Sequence, residues 1–255
     1  MIPISDGFSI LILGITIGLI HSTDGDHILA LSTLSRDYRK SLKNFWIGIS
    51  WGLGHSTPLM ILGIVILLAK QSILDHYLKI SIYMEILVGI MLIFLGIQVF
   101  WKIYSGNFHI HTHEHGKKQH AHFHGSHKHK SSLNNDHYAN KHWGFPELIP
   151  FFQPKSYLIG IVHGLAGSAA IILIILPDTE NTILGLFFLF SFSFGTILSM
   201  SIIAFTLSFP FSFIKNSNRV KDIFISITGL LSIILGLGLL SDIILKTNLT
   251  KFLWY

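Results

Sequence analysis

The sequence predicts an all-α polytopic membrane protein of about six transmembrane helices. Three observations carry that prediction. Half of the 255 residues are hydrophobic and only 12% are charged, too apolar a balance for a soluble chain of this length. Six apolar runs approach or exceed the roughly 20 residues that a helix needs to cross a hydrocarbon core. Polar or charged punctuation separates them.

The expected spans fall at 8–34, 45–69, 79–103, 155–177, 182–209 and 222–245, interrupted by SRDYRKSLKN, KQSILDHYLK, a long segment at 104–154, PDTEN and KNSNRVKD. The first span has no Lys or Arg before it and no small-x-small cleavage site, so we read it as a mature helix. With their flanking residues, the connections after spans 1, 3 and 5 hold 14 of the 18 Lys and Arg. The positive-inside rule then places both termini outside and the long segment in the cytoplasm. The net charge of +5 therefore belongs to loops and does not form the folded basic face that nucleic-acid binding requires. The expected macromolecular surroundings are a lipid bilayer and no nucleic acid.

The two halves resemble each other. At an offset of 142, Gly18-Leu-Ile-His21 aligns with Gly160-Ile-Val-His163; at 141, Ser50 and Gly54 meet Ser191 and Gly195; at 140, Gly89 and Gly96 meet Gly229 and Gly236. Three helices per half is an odd number, so the second half runs inverted, as a 3+3 inverted repeat that places a transport site at the repeat interface. The expected organisation is a first repeat over 1–104, a disordered His-rich loop over 105–154, and a second repeat over 155–255. Asp26 aligns with Ser168 and His27 with Ala169, so the acidic chemistry is confined to the first half. Small residues four apart at Gly14/Gly18, Gly48/Gly52 and Gly160/Gly164 are read as helix-packing positions.

In the first span, LIHSTDGDHILAL sets His21, Asp24, Asp26 and His27 inside an apolar run, where each buried carboxylate costs at least ~2.5 kcal/mol. Asp26 and His27 lie about 140° and 240° around a continuous helix from His21, so an unbroken helix cannot aim all four inward. A break at Gly25 would let them converge on a cation; the alternative is an aqueous loop with His21 or Asp24 capping a shorter helix. The second span supplies His55 in WGLGHSTPLM. Counted from the shared side, His21 to His27, His55 and His163 all lie about 10–20 Å deep at 1.5 Å per residue. His163 either joins the group as a ligand or is a packing histidine bonded to Ser or Thr. Glu85 and Gln98 are read as packing or interfacial polar groups.

The chain has no cysteine, which excludes disulfides and thiolate metal sites. Imidazole with carboxylate suits Ni(II), Co(II), Zn(II) or Cu(II) and not Mg(II) or Ca(II). Between 109 and 142 lie 11 of the 16 histidines. His109, His111, His113, His115, His120, His122, His124, His127 and His129 form either a metal-buffering loop or a solvated linker.

HSTDGDHI resembles the HAxDADHI motif, and LGHSTPL the LGHST motif, of the nickel/cobalt transporter superfamily; HGLAGSAA in the fourth span is similar to its UreH-type branch, associated with nickel supply to urease. The resemblance implies a multi-pass inner-membrane transporter of Ni(II) or Co(II). It carries no prosthetic group and no catalytic residues, and His21, Asp24, Asp26, His27 and His55 form its metal-selective site. It also implies nickel-enzyme maturation proteins as partners. The chain departs from the eight-helix members, which have a helix before this motif and an acidic motif further on. A similar His-rich loop occurs in the efflux branch, so either direction of flow fits. The competing readings are a zinc transporter of another family, against which stands the absence of HNxxD in the fourth span, and a membrane-embedded metalloenzyme, for which no HExxH is present.

Overall fold

The apolar runs of the sequence become helices that bury their small residues against one another and leave their large apolar residues outside. The computed structural model describes residues 7–35, 41–69, 71–104, 109–115, 118–124, 152–165, 181–209 and 218–250. Among these, α1 spans Gly7–His21, α2 Gly25–Ser35, α3 Ser41–Ala69, α4 Gln71–Tyr104, α5 Pro154–Gly164, α6 Thr182–Leu207 and α7 Asn218–Ile244.

Four helices are long and apolar enough to cross a membrane on their own, over Leu42–Leu68, Lys79–Trp101, Thr182–Leu207 and Asp222–Ile244. The pair α1 and α2 passes the same test together, bent by 64°. The expected fourth span is described only through α5 and Leu165; its remainder lies outside the described residues. Phe187, Phe190 and Phe194 on α6, and Ile90, Phe94, Ile97 and Trp101 on α4, are exposed. Outward apolar rows on helices of this length are what a lipid environment covers, and the chain is a multi-pass membrane protein.

The 64° bend occurs at Ser22–Asp24, with Gly25 opening α2. Its cause is local. Thr23 N–H donates to Ile20 O and Asp24 N–H to His21 O, three-residue returns that tighten the end of α1. The Ser22 and Thr23 hydroxyls donate to Gly18 O and Ile20 O. Asp24 O accepts from Ile28 N, starting α2 one residue ahead of Gly25. Asp26 then stands in the first turn of α2, where the helix dipole favours a carboxylate.

Glycines set the helix pairings. A Cβ on Gly18 would overlap Phe192 O of α6, and one on Gly160 would overlap Trp51 O of α3. A Cβ on Gly236 of α7 would lie 2.6 Å from Gly89 O of α4, and one on Gly89 3.2 Å from Gly236 O. Ser232 of α7 donates to Leu92 O of α4 at 2.8 Å. In α3, Pro58 has no N–H to offer Gly54 O, one turn back, which frees that carbonyl beside His55. One buried cluster joins Leu31, Ile47, Trp51, Leu92 and Met200 across α2, α3, α4 and α6. A second joins Ile10, Leu59, Phe188 and Phe192 across α1, α3 and α6.

Within the segment expected as a disordered loop, β1 (His109–His115) and β2 (Lys118–His124) pair antiparallel, with His109 opposite His124, His111 opposite His122 and His113 opposite His120. The alternating pattern suits a strand. His127 and His129 lie outside the described residues.

Candidate metal centre

Interrupting the first span turns one polar run into two short segments that enter the bundle from different directions. His21 ends α1; Asp26 and His27 open α2; His55 lies in the middle of α3; His163 is in the last turn of α5. All five are buried, none more than 3% exposed. The break and the glycine contacts bring α1, α2, α3 and α5 together there.

His21 Nε2 lies 3.3 Å from His55 Nε2. His163 Nε2–H donates to Asp26 Oδ2 at 2.7 Å. Asp26 Oδ1 accepts from the backbone N–H of His27 at 2.9 Å and stands 2.9 Å from His27 Nδ1. The ring of His27 is central: its centroid is 4.5 Å from that of His21, 5.0 Å from His55 and 4.4 Å from His163. Its Nε2 and the Nδ1 of His163 have no hydrogen-bond partner among the described residues. Buried nitrogens without partners are costly unless something else engages them.

Two ligand sets result. One holds His21, His27 and His55; the other holds Asp26, His27 and His163; in each, one ligand atom per residue lies within 4.8 Å of the others. Asp24 belongs to neither. Its Oδ2 is 3.0 Å from His21 Nδ1 and 4.0 Å from His27 Nδ1, the position of a carboxylate that orients a liganding imidazole from behind. His163, read from sequence as either ligand or packing residue, is in direct contact with Asp26.

The walls of the centre are aromatic. Trp51 packs edge-on against His27 and His163, with centroids 5.6 and 5.2 Å away, and Phe192 stacks over His21 at 5.7 Å. Sequence reasoning passed over both. Trp51 had one available signal, since it precedes His55 by four residues and so shares its helix face; Phe192 had none. Glu85 and Gln98 stand away from the centre, and Gln98 Oε1 accepts from Lys155 Nζ.

Such an arrangement can hold a divalent ion through neutral imidazoles and a carboxylate, in a setting that Trp51 and Phe192 keep apolar.

The chain is 33% identical over 249 residues to the urease accessory protein UreH of Bacillus sp. (strain TB-90), covering 98% of this chain and 97% of that protein. It is 25% identical over 233 residues to the chloroplast protein FOR GROWTH AND FERTILITY 1 of Arabidopsis thaliana, covering 89% of this chain and 57% of that one. No family model and no solved structure matches. Similarity to UreH at this level along nearly the whole of both chains places the protein in that family, the UreH-like branch of the nickel/cobalt transporter superfamily that its motifs resemble.

Proposed function

We propose that the protein carries a divalent transition-metal cation, Ni(II) or Co(II), across the cell membrane through the His/Asp centre, and that it is not an enzyme. The observation that carries this reading is the burial of His21, Asp26, His27, His55 and His163 together, deep between helices. Buried ionisable groups inside a membrane bundle are expensive and mark ion pathways. The ion is the cargo, and the ligand set suits late first-row metals.

A 3+3 inverted repeat around this centre is the architecture we favour, and the contacts supporting it come in related pairs. Gly18 packs on Phe192 and Thr196, and Gly160 on Trp51 and His55, residues 141 or 142 apart in each case. Phe192 lies against His21 as Trp51 lies against His163. Both termini would then be outside and the His-rich hairpin in the cytoplasm. There its paired register, His109/His124, His111/His122 and His113/His120, would gather ions weakly at many positions. The urease accessory role in the name of the Bacillus relative points to nickel supply for enzyme maturation, with maturation proteins as partners.

The test is metal flux into proteoliposomes, with Ni(II), Co(II) and Zn(II) in separate runs, for wild type and His27→Ala. Ni(II) or Co(II) should enter with the wild type and not with the variant. Flux of none of the three refutes transport, and flux of zinc alone would favour a zinc transporter.

A further inference from the structure

We infer that the centre is two successive positions for one ion, sharing His27, and not a single site of five ligands. This inference rests on the transport reading above. His21 and His55 fall in one ligand set, Asp26 and His163 in the other, and His27 alone belongs to both. A late first-row ion held at about 2.0–2.1 Å by nitrogen sets its ligand atoms about 3 Å apart. Three pairs already stand near that spacing: His21 Nε2 and His55 Nε2 at 3.3 Å, His163 Nε2 and Asp26 Oδ2 at 2.7 Å, and Asp26 Oδ1 and His27 Nδ1 at 2.9 Å.

The ring of His27 is suited to be shared. Its Nδ1 stands 2.9 Å from Asp26 Oδ1, and neither ring nitrogen has a hydrogen-bond partner among the described residues. A neutral imidazole binds a metal through whichever nitrogen carries no proton, so one ring can serve either position without moving its backbone, its proton passing to the other nitrogen as the ion moves. The two positions differ in charge. The set of His21, His27 and His55 is three imidazoles; the set of Asp26, His27 and His163 includes a carboxylate, which an arriving dication neutralises as it displaces the His163–Asp26 hydrogen bond, the His163 proton passing from Nε2 to the unpartnered Nδ1. Two dications at once would repel across a single ring, so the positions fill in turn. An ion that exchanges ligands stepwise around His27 never loses all its protein partners inside the bundle, as conduction between adjacent sites requires.

The test uses purified full-length protein in lipid nanodiscs, with Ni(II) as the probe. Calorimetry reads stoichiometry and affinity, X-ray absorption reads the ligand atoms, and proteoliposomes read flux. Wild type should bind one ion. Asp26→Asn/His163→Asn should still bind one, with affinity weakened no more than about a hundredfold and a shell of imidazole nitrogen without carboxylate. His21→Asn/His55→Asn should bind one as well, with carboxylate oxygen in its shell. Both should lose flux by at least a hundredfold, because each keeps one position and lacks the other. A larger loss of affinity in either double variant, two ions in the wild type, or undiminished flux would overturn the inference. Each double variant is read only if its elution and helical content match the wild type; otherwise His163→Asn and His21→Asn are judged singly by the same criteria. A wild type that carries nickel while either double variant loses binding refutes the two-position scheme alone. A wild type that neither binds nor carries nickel refutes the transport reading, and this inference with it.

Discussion

His163 and Asp26, 137 residues apart in the chain, meet at 2.7 Å inside the bundle and join α5 to the start of α2. Both are almost fully buried, so neither can exchange its partner for water. A hydrogen bond to a charged group contributes about 1.5–3 kcal/mol net, and leaving one partner alone costs more. In the metal-free protein, a thermal or denaturant double-mutant cycle on Asp26→Asn and His163→Gln should give a coupling of at least about 1 kcal/mol. Additive effects would mean that this contact does not join the two elements.

Gly164→Ala tests how tightly α5 is set against the centre. A Cβ there would overlap the carbonyl oxygen of His55, which is backbone and cannot swing aside. Either α5 or α3 must shift, which for overpacking costs about 1–3 kcal/mol. The variant should melt lower than wild type in detergent and bind Ni(II) at least tenfold more weakly, because His55 and His163 ride on the two displaced helices. Gly7→Ala is the control, since nothing lies within 4 Å of its added Cβ; it should melt and bind as the wild type does. Equal melting of Gly164→Ala and wild type would show that the α3–α5 interface is loose.

Those two contacts also show what the sequence made legible. Two His and two Asp cannot share one face of a continuous helix, so the interruption near Gly25 follows from angular arithmetic, and it occurs at Ser22–Asp24. Helix rise alone set His21, His27, His55 and His163 at similar distances along their spans, and two overlapping ligand sets hold these four. What periodicity does not carry is rotation about each segment once the helix is broken. That rotation sends Asp24 behind His21 and Asp26 toward His163, although both are acidic residues of one short motif. Phe192 was hidden for another reason: in helices apolar all round, an aromatic facing a site has the same spacing as one facing lipid. The hairpin in the His-rich segment was missed because low apolar content argues for disorder, while strand pairing needs only alternation and a turn.

At the far end of α7, Asp242 organises the chain that follows the helix. Its carboxylate accepts from Thr247 Oγ1, Leu249 N, Thr250 N and Thr250 Oγ1, while Lys246 takes a positive φ of 54°. The four acceptances fold residues 245–250 back onto the helix end. Asp242→Ala should therefore speed amide exchange at Leu249 and Thr250 markedly while leaving exchange in the middle of α7 unchanged. Unaltered exchange at both positions would show that the turn holds without the carboxylate.

Selectivity against the abundant divalent cations follows from the donor types. Mg(II) demands near-octahedral oxygen at about 2.0–2.1 Å and parts with its waters reluctantly, and Ca(II) takes about 6–8 oxygens. The two ligand sets offer four imidazoles and the single carboxylate of Asp26, and the walls formed by Trp51 and Phe192 leave little to replace a hydration shell. Imidazole favours nickel, cobalt, copper and zinc in the usual order of affinities. In competition against Ni(II) flux, Zn(II) and Co(II) should inhibit at concentrations within about a hundredfold of the Ni(II) present, whereas Mg(II) and Ca(II) in about a thousandfold excess should not. Changing His55 to Asp should narrow that gap, because a second carboxylate replaces an imidazole and moves the donor set toward hard cations. If Mg(II) competes with wild type as well as Co(II) does, the imidazoles are not what the ion meets on its way through.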